Sequence, residues 1–169
     1  YTRRTGYNPL FEELDLTDES TLYKQLDEWN PDVIINLAGE NRVDIVEANP
    51  DSYRDVNVRG PKLLAHWCSY SGKRLIQTST QGVFSGENAP YGPYDQDHAL
   101  TAYGRQKANV EVNLPTFNQK TSEQQADWPR AVTIARLTFV LGVRPIQGVG
   151  RRNPLEDMIE MPRQLQVDD

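Results

Sequence analysis

The sequence predicts an α/β domain built on a parallel sheet. The run at 33–38 is short and nearly all apolar, which suits a strand buried on both faces, and further strand-like runs stand at 74–79 and 131–137. Apolar residues at helical spacing fill the intervals between those runs. Gly, Pro and Asn punctuate the junctions, so strands alternate with helices, the pattern of a parallel sheet with crossover helices.

The elements follow in order. Residues 1–13 are polar and broken by Gly6 and Pro9. Leu14-Asp15-Leu16 reads as a short strand-like piece. Thr17 is a suitable N-cap with Asp18 and Glu19 in the first turn, and Leu22, Leu26 and Trp29 mark an amphipathic helix over about 18–29. Asn30-Pro31 stops it. The run from Val33 to Ala38 is a buried strand ending in Gly39. A short helix is expected over 43–48, before Asn49-Pro50, and a longer one over 51–70. Gly60-Pro61 should kink or split the longer helix, and Gly72 should end it.

Arg74 to Ser79 is the next strand, followed by a long Gly- and Pro-containing loop over 81–100. Thr101 caps a helix over 102–113 that Pro115 ends, and 116–129 reads as a surface loop. Ala131 to Leu137 is a third strand, followed by a Gly- and Arg-rich loop at 142–152. Asn153-Pro154 opens a short helix to about 160, and Leu165-Gln166-Val167 starts a last strand.

A chain of 169 residues suits one domain and can bury a real core. Its net charge of −6 argues against a nucleic-acid partner or an anionic membrane surface. No apolar run is long enough to span a bilayer, and the single Cys68, in a helical pattern, reads as a core residue rather than half of a disulfide. These traits are those of a soluble cytoplasmic protein. His66 and His98 are far apart and make no metal site, and no G-x-S-x-G elbow for a serine hydrolase is present.

The chemistry concentrates between Thr78 and Lys107. Thr78-Ser79-Thr80 puts hydroxyls at the end of a strand, where ligands of such sheets bind. Tyr103 and Lys107, four apart on a helix, share one face. A phenol with a pKa near ~10 needs roughly 4 kcal/mol to come down three units. An ammonium about 4 Å away supplies that at an effective dielectric of about 20. Tyr103 could then exchange a proton with a substrate oxygen while Thr80 hydrogen-bonds it. A chain with this many Tyr and Lys shows a chance Tyr-x-x-x-Lys about one time in four, so placement, not the pair alone, carries the reading.

Placement also brings a resemblance. Leu14-Asp15-Leu16-Thr17-Asp18, Asn30-Pro31-Asp32-Val33-Ile34-Ile35-Asn36 and Val56-Asn57-Val58 resemble the extended short-chain dehydrogenase/reductases. Thr78-Ser79-Thr80, Val83-Phe84-x-Gly86, Pro93-Tyr94 and Tyr103-Gly104-x-x-Lys107 narrow the likeness to the dTDP-4-dehydrorhamnose reductase branch. The resemblance implies a Rossmann-like doubly wound parallel sheet. It implies Thr80, Tyr103 and Lys107 as catalytic hydroxyl, tyrosine and lysine, with Tyr103 and Lys107 also at the cofactor. Asp15 and Leu16 match an adenine-contacting pair, Ala38 and Gly39 the strand-end backbone near pyrophosphate and ribose, and Asn57 a helix asparagine. Arg3 and Arg4 stand where a cationic pair would suit a 2′-phosphate, which favours NADP (as NADPH) over NAD; otherwise they are solvated loop cations.

The implied partner is a nucleotide-sugar substrate, and the implied activity is reduction of its keto group. Arg144, Arg151 and Arg152 suit a substrate diphosphate or a solvated loop. The family's first strand, Gly-rich phosphate turn and first helix have no counterpart, so the chain reads as an internal fragment, inactive alone. It is expected to be a single partial NAD(P)-binding domain over 1–169 with a substrate-binding region starting near 142. Gln81-Gly82 stands where the reductases carry Asp and an aromatic, and it also lacks the acidic pair of a sugar-nucleotide dehydratase. Two alternatives stay open: a regulatory subunit like methionine adenosyltransferase β, acting through a homodimer or partner protein, and a sugar-nucleotide epimerase.

Overall fold

The computed structural model describes residues 12–95, 98–119 and 131–138. The chain packs as two units, Tyr1–Leu137 and Thr138–Asp169, and every described element belongs to the first. Strands β1 (Val33–Asn36), β2 (Arg74–Thr80) and β3 (Val132–Leu137) form one parallel sheet in that order. Val33 pairs with Arg74, and Leu75 with Val132. The α/β parallel-sheet expectation is met, with β1 two residues shorter than the apolar run that announced it.

Among the described residues four helices accompany the sheet: α1 (Glu19–Trp29), α2 (Val43–Ala48), α3 (Gly60–Ser71) and α4 (Ala102–Asn113). Leu22 and Leu26 of α1, Leu64 and Trp67 of α3, and Val110 of α4 close over Leu75 and Val132. Burying side chains of this size contributes about 1.5–3 kcal/mol each, which is what holds the layer of helices to the sheet. Trp67 donates Nε1–H to Asp27 Oδ1 at 2.8 Å, which fixes α3 against α1. The other sheet face carries Ile35 and is open among the described residues; Ile35 is 60% exposed and the following Leu37 73%.

Two local expectations are corrected. Leu14-Asp15-Leu16 is not a strand: Asp15 Oδ1 accepts from both the backbone N–H and the Oγ1 of Thr17, each at 2.8 Å, and so closes a turn. That commits Thr17, and Asp18 caps α1 instead, accepting from Thr21 N–H at 3.3 Å. The stretch 51–71 is split as expected, by an unexpected device. A 3₁₀ turn (Asp51–Tyr53) and a π turn (Asp55–Arg59) precede α3. Pro61 has no N–H for the Asn57 carbonyl, and the Gly60 N–H reaches back five residues to the Asp55 carbonyl. The widened turn buries Asn57 and Val58. Asn30 and Gly72, both left-handed, end α1 and α3. Past Pro115 the chain continues as a 3₁₀ turn to Gln119 rather than as an open loop. The helix expected to about 160, the strand at 165–167, and Arg3, Arg4, Arg144, Arg151 and Arg152 lie outside the described residues.

Cys68 has no exposed surface, and burial pushes its thiol up to about 12. The thiolate is the reactive form. Cys68 is therefore expected to stay unlabelled by iodoacetamide at neutral pH until denaturant unfolds the protein; labelling at the rate of a free thiol in buffer would contradict its place in the core. No helix among the described residues is long and apolar enough to cross a membrane.

Candidate active site

β2 ends at Thr80, which caps the turn after it. Thr80 Oγ1 accepts from the Gly82 N–H at 3.1 Å and opens the 3₁₀ turn Gln81–Val83. A hydroxyl that accepts in this way keeps its own hydrogen to donate. α4 starts from a second threonine: Thr101 Oγ1 accepts from the Gly104 N–H at 3.0 Å. Gly104 lies flat on the Gln81–Val83 turn. A Cβ at Gly104 would collide with the Gly82 carbonyl oxygen and would stand 3.0 Å from the Ala99 Cβ. This contact brings the end of β2, with Thr80, to the first turn of α4, with Tyr103.

Tyr103 and Lys107 share the inner face of α4, as their spacing requires. Lys107 Nζ lies 5.9 Å from the Tyr103 ring centroid. Lys107 is 5% exposed, and Nζ donates to the Thr78 carbonyl at 3.2 Å. The expected lowering of the phenol does not occur in this geometry. Burial of Tyr103 holds its pKa above the ordinary value, and burial of Lys107 lowers the ammonium, with the Glu111 charge working the other way. The expectation assumed an ammonium at about 4 Å in a wet dielectric. Here one N–H of the ammonium goes to a backbone carbonyl, and desolvation governs both groups.

A buried polar network holds that carbonyl. Gln77 Nε2 also donates to the Thr78 carbonyl at 2.9 Å. Gln77 Oε1 accepts from Asn36 Nδ2 at 2.8 Å, Asn36 Oδ1 accepts from the Ala38 N–H at 3.0 Å, and Thr78 Oγ1 donates to the Asn36 carbonyl at 2.8 Å. β1 and β2 are thus locked side by side at the ends that carry Ala38 and Thr80. Because every member has a partner, the network adds rigidity instead of the cost of an orphaned buried group.

Asn57, delivered by the π turn, completes the cluster. It is 1% exposed. Its Oδ1 accepts from the Glu40 N–H at 2.9 Å, and its Nδ2 donates to the Glu40 carbonyl at 3.1 Å and to Gln106 Oε1 at 2.8 Å. Gly39, at φ 153°, passes so close that a Cβ there would sit 2.9 Å from Asn57 Oδ1 and 3.9 Å from Lys107 Nζ. Gly39 therefore presents bare main chain beside the ammonium, where a side chain would collide with Asn57. Ala38, Gly39, Asn57, Thr80, Tyr103 and Lys107 are brought to one end of the sheet. Asp15 is exposed, with its carboxylate held below the ordinary range by the Thr17 hydrogen bonds. Leu16 is 4% exposed, buried in the core and packed on Gly60.

Sequence reasoning missed Gln77, Gln106 and the pair Glu111–Arg136. Gln77 could have been singled out as an amide inside an apolar strand, and Glu111 as a carboxylate four residues beyond Lys107 on the same face. Among the described residues, no group of three or more His, Cys, Asp or Glu could hold a metal ion.

The Lys107 burial has a stability consequence. A lysine whose folded pKa is lowered binds fewer protons folded than unfolded, so its burden is full below the folded pKa and is relieved as pH rises toward 10.5. Lys107→Met is therefore expected to raise the urea midpoint at pH 7, and to raise it less at pH 10. A lower midpoint at pH 7 would mean that the Thr78 bond outweighs desolvation.

The parallel sheet with its covering helices is that of a Rossmann-like dehydrogenase fold. Residues 2–144 match the family model described as the RmlD substrate binding domain, and the chain belongs to that family. It is 34% identical over 119 residues to the dTDP-4-dehydrorhamnose reductase of Aggregatibacter actinomycetemcomitans, covering 70% of this chain and 40% of the reductase. It is 35% identical over 111 residues to methionine adenosyltransferase 2 subunit beta of Rattus norvegicus, covering 63% and 33%. A solved dTDP-4-dehydrorhamnose reductase from Bacillus anthracis, in complex with NADP, shares the fold with a TM-score of 0.67 at 24% identity, over 86% of this chain and 46% of that one. The chain thus spans less than half the length of each of these relatives.

Proposed function

We propose that the chain is the catalytic and nicotinamide-side part of an NADP-dependent reductase acting on the keto group of a nucleotide-activated sugar. The observation that carries this is the convergence of Thr80, Tyr103 and Lys107 at one sheet end, in a member of a family whose relatives include dTDP-4-dehydrorhamnose reductase. The bare main chain of Gly39 beside Lys107 Nζ fits a cofactor ribose, with Ala38 and Asn57 completing that wall. Asp15 and Leu16 would meet the adenine end. Arg3 and Arg4 would meet a 2′-phosphate, which together with the NADP complex of the Bacillus anthracis relative favours NADP over NAD.

When bound, NADPH would supply hydride to the carbonyl carbon. The chain supplies the rest. The Thr80 hydroxyl donates a hydrogen bond to the ketone oxygen and polarises it. Tyr103, kept protonated by burial, gives its proton to that oxygen as negative charge develops, so the ketone becomes an alcohol with carbon and oxygen each gaining one hydrogen. Lys107 holds its end of the site through Thr78 and orients the cofactor ribose.

A second reading is a regulatory subunit, favoured by the 35% identity to methionine adenosyltransferase 2 subunit beta. One assay separates the two. The full-length gene product is given NADPH and a dTDP-4-keto-6-deoxyhexose, and absorbance at the nicotinamide band is followed. Turnover with NADPH supports the reductase. Tight NADPH binding with no turnover of any nucleotide-activated keto sugar would overturn it in favour of the binding role.

A further inference from the structure

Arg136 of β3 and the loop that follows the Gln81–Val83 turn form a clip that the proposed chemistry does not yet use. Arg136 makes a fork with Glu111 of α4: Nε meets Oε1 at 3.1 Å and Oε2 at 2.9 Å, and Nη2 meets Oε2 at 2.6 Å. Its remaining donors reach the loop, Nη1 to the Gly92 carbonyl at 3.3 Å and Nη2 to the Asp95 carbonyl at 3.2 Å. The guanidinium carbon also lies 4.8 Å over the Phe84 ring. Phe84 stacks on Tyr91 with centroids 4.1 Å apart, and Tyr91 Oη accepts from the Gly86 and Asn88 N–H groups, each at 3.0 Å. The loop is folded around this ring pair, and one guanidinium binds it from β3.

The loop's ends stand beside Tyr103. It leaves from the Gln81–Val83 turn, on which Gly104 rests, and it returns where the Ala99 Cβ closes on Gly104 and Arg105 donates to the Leu100 carbonyl at 2.9 Å. Arg136 thus fixes the middle of a segment whose two ends bracket the proton donor. A largely buried ion pair adds little net stability, because desolvation offsets most of the attraction. A fork, two carbonyls and a ring on one guanidinium instead fix position, which lysine cannot reproduce.

We infer that Arg136 is a positioning residue: with Glu111 it clips residues 84–95 in place as the wall of the substrate pocket beside Tyr103. The inference rests on the reductase reading for what the wall touches, and on geometry alone for the clip. Arg136→Lys and Glu111→Gln are made in the full-length gene product. Amide hydrogen exchange is measured without ligands, and steady-state kinetics with a dTDP-4-keto-6-deoxyhexose and NADPH. Expected are exchange in 84–95 at least about tenfold faster with β2 unchanged, and KM for the keto sugar up about tenfold or more. NADPH affinity should change far less, since a wall displaced by about 1 Å acts on the substrate pose. Unchanged exchange in 84–95 overturns the clip. Faster exchange with KM unchanged overturns the wall and leaves a merely structural ion pair. If wild-type protein reduces no keto sugar, the reductase reading fails and the wall falls with it, while exchange still decides the clip.

Discussion

Gly104→Ala is expected to destabilise the protein by about 3 kcal/mol or more, at the upper end for overpacking a close contact. The collision is with the Gly82 carbonyl oxygen, a backbone atom with no rotamer to escape through, and the Ala99 Cβ closes the other side at 3.0 Å. Relief requires α4 to lift off the Gln81–Val83 turn. That would strain the Thr101 cap on the Gly104 N–H and carry Tyr103 away from Thr80. Alanine is the better helix former by up to about 1 kcal/mol, so a rise in stability would be expected if only propensity mattered. The direction of the shift in the urea midpoint therefore separates the two effects, and a midpoint equal to or above wild type would show that Gly104 is not a packing glycine. A companion Gly82→Ala distinguishes the partners: its Cβ would stand 3.5 Å from Thr80 Oγ1, an ordinary contact, and the cost should be small.

Tyr103→Phe is expected to lower kcat for keto-sugar reduction by about 10²–10⁴-fold, the span of a general acid. The ring stays, so α4, the core and NADPH affinity should hold. Because burial keeps the phenol above its ordinary pKa, the donor is protonated throughout the neutral range. Reduction by the wild type should stay level from pH 6 to 8 and fall only on the alkaline side, while the reverse oxidation, which needs the phenolate, should climb with pH. A Tyr103→Phe enzyme with wild-type kcat and an unchanged pH profile would remove Tyr103 from the chemistry. Loss of NADPH binding in the same variant would place Tyr103 at the cofactor instead.

The parts of this site that follow a periodicity were legible in the sequence. Tyr103 and Lys107 share a face because four residues make a helical turn, Thr101 caps because its hydroxyl precedes the helix, and Gly72 ends α3 because it takes φ 70° freely. What was hidden depends on competition between neighbours. Thr17 and Asp18 are both good caps, and the choice fell to Asp18 because Asp15 had already claimed Thr17. The π turn needs Pro61 to withhold a donor and Gly60 to reach one carbonyl further, which no spacing rule encodes. Glu111 and Arg136 lie 25 positions apart on different elements, and each alone reads as a solvated charge. The phenol's direction was misjudged because the sequence indicates a nearby ammonium but not how dry the pair is, nor that Thr78 takes the ammonium's hydrogen.

That last bond ties the lysine to a main-chain atom. Substitution at position 78 can remove a hydroxyl, but it cannot remove the carbonyl that receives Lys107. The anchor is therefore insensitive to the identity of its own residue and sensitive to alignment. A single-step slip of β2 against β1 would replace the Thr78 oxygen with open space and undo the Asn36–Gln77 pairing together with it. Survival of the Lys107 anchor on substitution at 78 and its loss on a one-residue insertion anywhere in 74–77 are two readings of the same bond.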